Sequence, residues 1–70
     1  MNYRKIISVD PQIRNGEPCV RGLPITVAEI IVQILDGITT DQILKEYTML
    51  TREDVAACAA FTINEPRPKD

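Results

Sequence analysis

Histidine is absent from the 70-residue chain, which removes the commonest general base and the commonest metal ligand. Cysteine occurs twice, as Cys19 and Cys58. A catalytic thiol needs a base beside it, and two thiols with scattered carboxylates make a poor zinc set. Two lone cysteines also define no disulfide framework, since nothing in the sequence brings them together. They read as reduced, buried thiols of a cytoplasmic protein. No apolar run is long enough to span a membrane. Residues 1–14 carry Arg4, Lys5, Asp10 and Arg14 rather than the apolar stretch of a signal peptide. The three glycines do not gather into a loop that meets a helix start with a lysine, so no phosphate cradle is present. Glu53 and Asp54 are adjacent, and adjacent helical residues diverge by about 100°, so they form no catalytic dyad. The expectation is a protein that is not an enzyme and uses no cofactor and no metal.

What is present fits one small domain, residues 1–63, followed by a polar, proline-containing tail, residues 64–70. A chain this short buries a small share of its surface, and association with another chain is the favoured remedy. The net charge of −2 conceals an asymmetry. Arg4, Lys5, Arg14 and Arg21 outnumber Asp10 and Glu17 in the first third. Lys45 and Arg52 are outnumbered by Glu29, Asp36, Asp41, Glu46, Glu53 and Asp54 in the middle.

The most irregular stretch is Asn15-Gly16-Glu17-Pro18-Cys19-Val20-Arg21-Gly22-Leu23-Pro24-Ile25-Thr26-Val27. Asn15-Gly16 asks for a turn at positive φ, and Cys19-Val20 and Ile25-Thr26 are short β-leaning runs around Gly22. Thr26, with Glu29 three residues on, has the signature of a capping box. The segment thus reads as a folded-back turn, held by Gly16, Pro18, Cys19 and Gly22, that launches a helix. Upstream, Ile6-Ile7-Ser8-Val9 predicts a strand ended by Asp10-Pro11. Its mate would be one of those two runs or the same strand of a second copy.

Helical spacing begins at Thr26. Val27, Ile30, Ile31, Ile34 and Leu35 form one apolar stripe, and Gly37 ends the helix in the left-handed conformation. Thr39 caps a second helix, with Asp41 in its first turn, Gln42 at the box position, and Ile43, Leu44 and Tyr47 facing inward. Thr51 caps a third, opened by Arg52-Glu53-Asp54, whose acids suit the helix dipole. The run Val55-Ala56-Ala57-Cys58-Ala59-Ala60-Phe61 permits close packing on a neighbour. The predicted fold is mainly α: a short N-terminal β-element plus a trihelical, helix-turn-helix-like (winged-helix-like) domain.

If such a domain met DNA, the contacts would fall to Arg14, Arg21, Thr51 and Arg52, with Arg4 and Lys5 extending a basic patch for phosphates. Glu53 and Asp54 count against major-groove entry by the third helix. Arg21 has a structural alternative, which is to cap backbone carbonyls or pair with Glu17 and hold the turn.

Ile7-Ser8-Val9-Asp10-Pro11, Asn15-Gly16-Glu17-Pro18-Cys19-Val20-Arg21-Gly22, Ile25-Thr26-Val27, Gly37 with Thr39, and Leu50-Thr51 with Asp54-Val55 together resemble the family called domain of unknown function 433. The resemblance runs over about residues 6–62. It implies a helix-turn-helix-like domain, a homodimer, and an antitoxin-like role. The partners it implies are a toxin with a PIN-like nuclease fold and the protein's own operator DNA, with no enzymatic activity or cofactor. The chain departs from the family pattern at Leu23-Pro24, where Thr-Arg is common, and at Thr48, where proline follows the tyrosine. The first departure removes a basic residue from the turn. The alternative function is a homodimeric interaction or structural domain that does not bind DNA.

Overall fold

Three threonines set the helices. Thr26, Thr39 and Thr51 each stand at an extended N-cap, and each side-chain oxygen accepts the backbone N–H three residues on. The residues they meet, Glu29, Gln42 and Asp54, return the bond to the cap's own N–H, so all three caps are complete boxes. In the computed structural model, which describes residues 2–65, these caps start α2 (Val27–Leu35), α3 (Thr40–Glu46) and α4 (Arg52–Asn64). Before them come a one-turn helix α1 (Tyr3–Ile6), strand β1 (Ile7–Ser8) and strand β2 (Cys19–Val20). The mainly helical architecture with a short N-terminal sheet is the one the sequence predicts.

Two details differ from that expectation. The first is α1. Residue 6 belongs to a helix rather than to the strand expected over Ile6–Val9, and only Ile7 and Ser8 pair. Asn2 caps this turn through its side chain. What holds it lies far along the chain: the Tyr3 ring meets Phe61 edge-on at 6.2 Å, and its hydroxyl donates to Glu65 at 2.6 Å. A four-residue helix is not stable by itself, and the Asn2 cap is the one local sign of it. Among the described residues there are therefore four α-helices where three were expected.

The second is the stripe on α2. Val27 and Ile30 are buried, but Ile34 and Leu35 reach the surface, Leu35 at 79% exposure. The helix overhangs the core by its last turn.

β1 and β2 run antiparallel with Ile7 opposite Val20 and Ser8 opposite Cys19. The chain then folds back at Arg21-Gly22, and Cys19 also bridges to Thr26. Both expected mates of the first strand thus join one small hairpin structure. Gly37 takes φ +85° after α2, where its N–H bonds Ile34 O and the Ile38 N–H bonds Gln33 O, both at 3.0 Å. That is a Schellman closure. The core gathers Val20, Ile30, Ile43, Ala57 and Cys58, all fully buried, between the hairpin and the three longer helices. Ile30 and Ile43 each contribute about 1.5–3 kcal/mol on burial. The small residues of α4 let α2 and α1 approach closely on its two sides. α4 runs on to Asn64, and Glu65 is tied to Tyr3 and Arg4. The remainder of the expected tail, residues 66–70, lies outside the described residues.

Candidate functional site

Two features stand out: a polar clamp where the hairpin meets α4, and an open apolar groove beside α2.

The clamp begins with a conformational cost. Arg21 and Gly22 are the central residues of the hairpin turn, at φ +47° and +72°, closed by Leu23 N–H on Val20 O at 2.8 Å. Positive φ at both central positions suits the twist of a hairpin, but it is strained for arginine. Its side chain supplies what glycine could not. Nε donates to Asp54 Oδ1 at 3.1 Å, and Nη2 donates to Asp54 Oδ2 at 2.9 Å and to Met49 O at 2.8 Å. This is a bidentate fork with a third bond to the turn between α3 and α4. Ser8 steadies the turn from below, its hydroxyl accepting the Gly22 N–H at 2.9 Å.

Asp54 is the buried end of the clamp, 2% exposed. It accepts from Arg21 and also from Thr51 N–H at 2.9 Å. Burial works to raise its pKa, but the Arg21 fork and the Thr51 hydrogen bonds outweigh this and hold the carboxyl below its ordinary range. Asp54 is therefore more than a dipole-favouring acid, and the partner of Arg21 is Asp54 rather than Glu17. The sequence held one signal for it: Asp54 occupies the box position after Thr51, as Glu29 and Gln42 do after their caps. The arginine across 33 positions of chain is visible only in three dimensions.

Of the residues considered for nucleic acid, Arg21 and Thr51 are thus brought together through Asp54. Arg52 is exposed and paired with the exposed Asp41 of α3. Arg14 lies apart, exposed, in a 3-10 turn (Arg14–Gly16) in which Arg14, Asn15 and Gly16 all take positive φ. Arg4 pairs with Glu65 at 2.9 Å. The hairpin and cap residues sit as follows: Gly16 follows that turn's left-handed pair, Pro18 O accepts the Val27 N–H at 2.9 Å, and the Cys19 thiol donates to Glu17 O at 3.3 Å. Tyr47 packs against the core as expected, and its hydroxyl also donates to Glu29 at 3.2 Å, a tie between the end of α3 and the cap of α2 that the sequence did not show.

Both thiols are free and buried. Burial raises the pKa of Cys19 and pushes that of Cys58 up to about 12, which keeps both protonated and unreactive near neutrality. Among the described residues no three cysteine or acidic side chains converge to hold a metal ion.

The groove runs between α2 and the last turns of α4, with a volume of about 490 Å³. Val27, Ala28, Ile31, Val32, Leu35 and Phe61 line it, with Glu17 and Glu65 at its rim. The signal for it was present: α2 reads Val-Ala-Glu-Ile-Ile-Val-Gln-Ile-Leu, with only two polar residues in nine. A stripe wide enough for one core leaves Val32 and Leu35 over, at 54% and 79% exposure.

The sequence matches the family described as protein of unknown function (DUF433) over residues 7–62. The crystal structure of a DUF433 member protein from Anabaena variabilis is similar, with a TM-score of 0.76 at 24% sequence identity. The likeness covers 87% of this chain and 61% of that one, and at this identity it is a likeness of fold. This chain therefore spans less than two thirds of that protein's length. No curated protein matches it. Among the described residues no helix is long and apolar enough to cross a membrane.

Proposed function

The chain belongs to the DUF433 family, and from that premise we propose that it is a non-enzymatic, protein-binding module of the cytoplasm. In this reading it is the antitoxin-like half of a toxin–antitoxin pair, acts as a homodimer, and binds a toxin with a PIN-like nuclease fold. The observation that carries the protein-binding part is the apolar groove. An open groove floored by aliphatic side chains, with Val32 and Leu35 left in water, is a surface that another protein would cover. The two buried, protonated thiols and the absence of histidine favour binding over catalysis.

The choice between this reading and an interaction domain without DNA affinity turns on the arginines. Arg21, the arginine that the hairpin turn presents, is committed to a buried carboxylate and so withdrawn from phosphate, whereas Arg4 and Arg52 keep exposed pairs that hold them only weakly. That favours protein contacts over operator contacts.

Co-expression with the nuclease-fold product of the adjacent gene tests the proposal. A stable complex in size-exclusion chromatography, with the nuclease silenced, is expected. Separate elution with full nuclease activity, or no such product encoded there, refutes the antitoxin role. Titration with the upstream DNA across a salt series tests the operator part, where salt-sensitive, sequence-specific binding supports it and no binding at low salt removes it.

A further inference from the structure

The rim of the groove carries charge of one sign. Its lining includes Glu17 and Glu65 and no lysine or arginine. α2 has no basic residue and is followed by the exposed Asp36, and Glu65 is the charged residue at the groove end of α4. Arg4 and Tyr3 engage Glu65 from the α1 side, whereas Glu17 is exposed and makes no ion pair among the described residues.

This charge pattern selects among occupants. A second copy packing α2 on α2 about a two-fold axis would set the acidic rims against each other. Residues 66–70 of the chain, Pro-Arg-Pro-Lys-Asp, offer bases but no aliphatic side chain for the floor. A small apolar ligand would leave the acids unused and the outer part of Leu35 wet. We infer that the groove receives an amphipathic helix of a partner protein, with aliphatic residues at three- and four-residue spacing against Ala28, Ile31, Val32 and Leu35. Lysines or arginines flank that stripe and meet Glu17 and the Asp36 end of α2. The apolar anchors supply most of the affinity and the rim charges supply selection and on-rate. This inference rests on the protein-binding reading above and names the chemistry of the segment bound.

Two synthetic helical peptides with the same leucine stripe, one flanked by lysine and one by glutamate, test it by titration into the full chain. The lysine peptide is expected to bind at least about tenfold more tightly at low salt, with the gap narrowing as salt rises. Amide shifts should centre on Ala28, Val32 and Leu35. Leu35→Asp, at an exposed site, should weaken the lysine peptide at least about tenfold while lowering the melting curve by no more than a few degrees, the effect of an acid at a helix C-terminus, and Glu17→Lys should narrow the preference. Equal binding of the two peptides, no binding, or shifts centred elsewhere would overturn the inference. So would a wild-type dimer that Leu35→Asp splits in sedimentation velocity, since the occupant would then be a second copy. The two readings fail separately. A nuclease complex that survives Leu35→Asp refutes the groove but keeps the protein-binding function, and peptide binding without a nuclease complex keeps the groove but refutes the antitoxin role.

Discussion

Replacing Asp54 by alanine is the sharpest test of how this domain is held together. The carboxylate is 2% exposed and accepts three hydrogen bonds: two from the Arg21 fork and one from the Thr51 N–H. Its loss strips the return half of a capping box and the counter-charge of the fork at once. The cap portion is worth about 1 kcal/mol, and hydrogen bonds to a buried charge about 1.5–3 kcal/mol. The Arg21 side chain is 45% exposed, so once released it hydrates instead of remaining as a stranded buried charge, which limits the damage. A loss of about 2–4 kcal/mol follows for Asp54→Ala. A chain of this length has about half a dozen kcal/mol in all, at about 0.05–0.15 kcal/mol per residue, so the variant should lose about 10–25 °C in Tm.

Urea titration followed by circular dichroism measures this directly. Asp54→Asn keeps an acceptor for Thr51 but not the charge, and should fall between wild type and alanine. The comparison also carries a pH signature. The folded pKa of Asp54 is depressed, so its contribution is present above the unfolded carboxylate value of about 3.9. It disappears as pH falls through the lower folded value. Wild type and Asp54→Asn should therefore converge in acid. An Asp54→Ala variant within about 0.5 kcal/mol of wild type near neutrality, or a gap to Asp54→Asn that persists in acid, would refute the reasoning.

Arg21→Gly should be more stable than Arg21→Ala, because both lose the fork but only glycine relieves the positive φ of the turn; the reverse order of urea midpoints would show that the turn relaxes. Gly37→Ala should cost about 1 kcal/mol: an added Cβ at Gly37 meets nothing within 4 Å, so the cost is backbone strain alone, and a neutral substitution would contradict it. Because the folded pKa of Cys58 is raised from 9.0 to about 12, its contribution is complete below the unfolded thiol value and is lost as pH rises through the folded one. The stability of wild type should fall relative to Cys58→Ala across that alkaline window, as read by denaturant titrations at successive pH values. Thiol labelling of Cys19 and Cys58 should proceed only as fast as the fold opens, and labelling faster than amide exchange in α4 would show otherwise.

The legible parts of the fold were those whose cause is local. A threonine with an acceptor three residues on makes a cap wherever it occurs, so the starts of α2, α3 and α4 could be read from Thr26, Thr39 and Thr51 alone. Gly37 announced the end of α2 for the same reason. The features that escaped depend on distant partners. α1 exists because Tyr3 finds Phe61 and Glu65 across nearly the whole chain. Asp54 looked like one of two acids favouring a helix dipole, until Arg21 was found opposite it. The groove falls between these cases. The excess apolar residues of α2 were in plain view, but which of them the core would leave exposed depended on how far the helix overhangs α4.

The clamp also changes what can be said about nucleic acid. Two acids at the start of a would-be recognition helix argue against approach to phosphates, yet Asp54 is buried and neutralised by Arg21, so only Glu53 still presents a free negative charge there. The same pairing withdraws Arg21 from service, because turning its fork outward would strand a buried carboxylate at the cost of a broken buried pair. The exposed Arg52–Asp41 pair is different. Both side chains are more than two-thirds exposed, and such pairs are worth little to the fold, so Arg52 can leave Asp41 at almost no cost. Any operator contact would therefore fall on Arg52 and on Arg14. Arg52→Ala should then leave the melting curve unmoved while lowering the salt slope of DNA binding by about one. A slope unchanged by Arg52→Ala but reduced by Arg21→Gln would mean that the clamp opens on DNA, and that the buried carboxylate is less costly to strand than its burial implies.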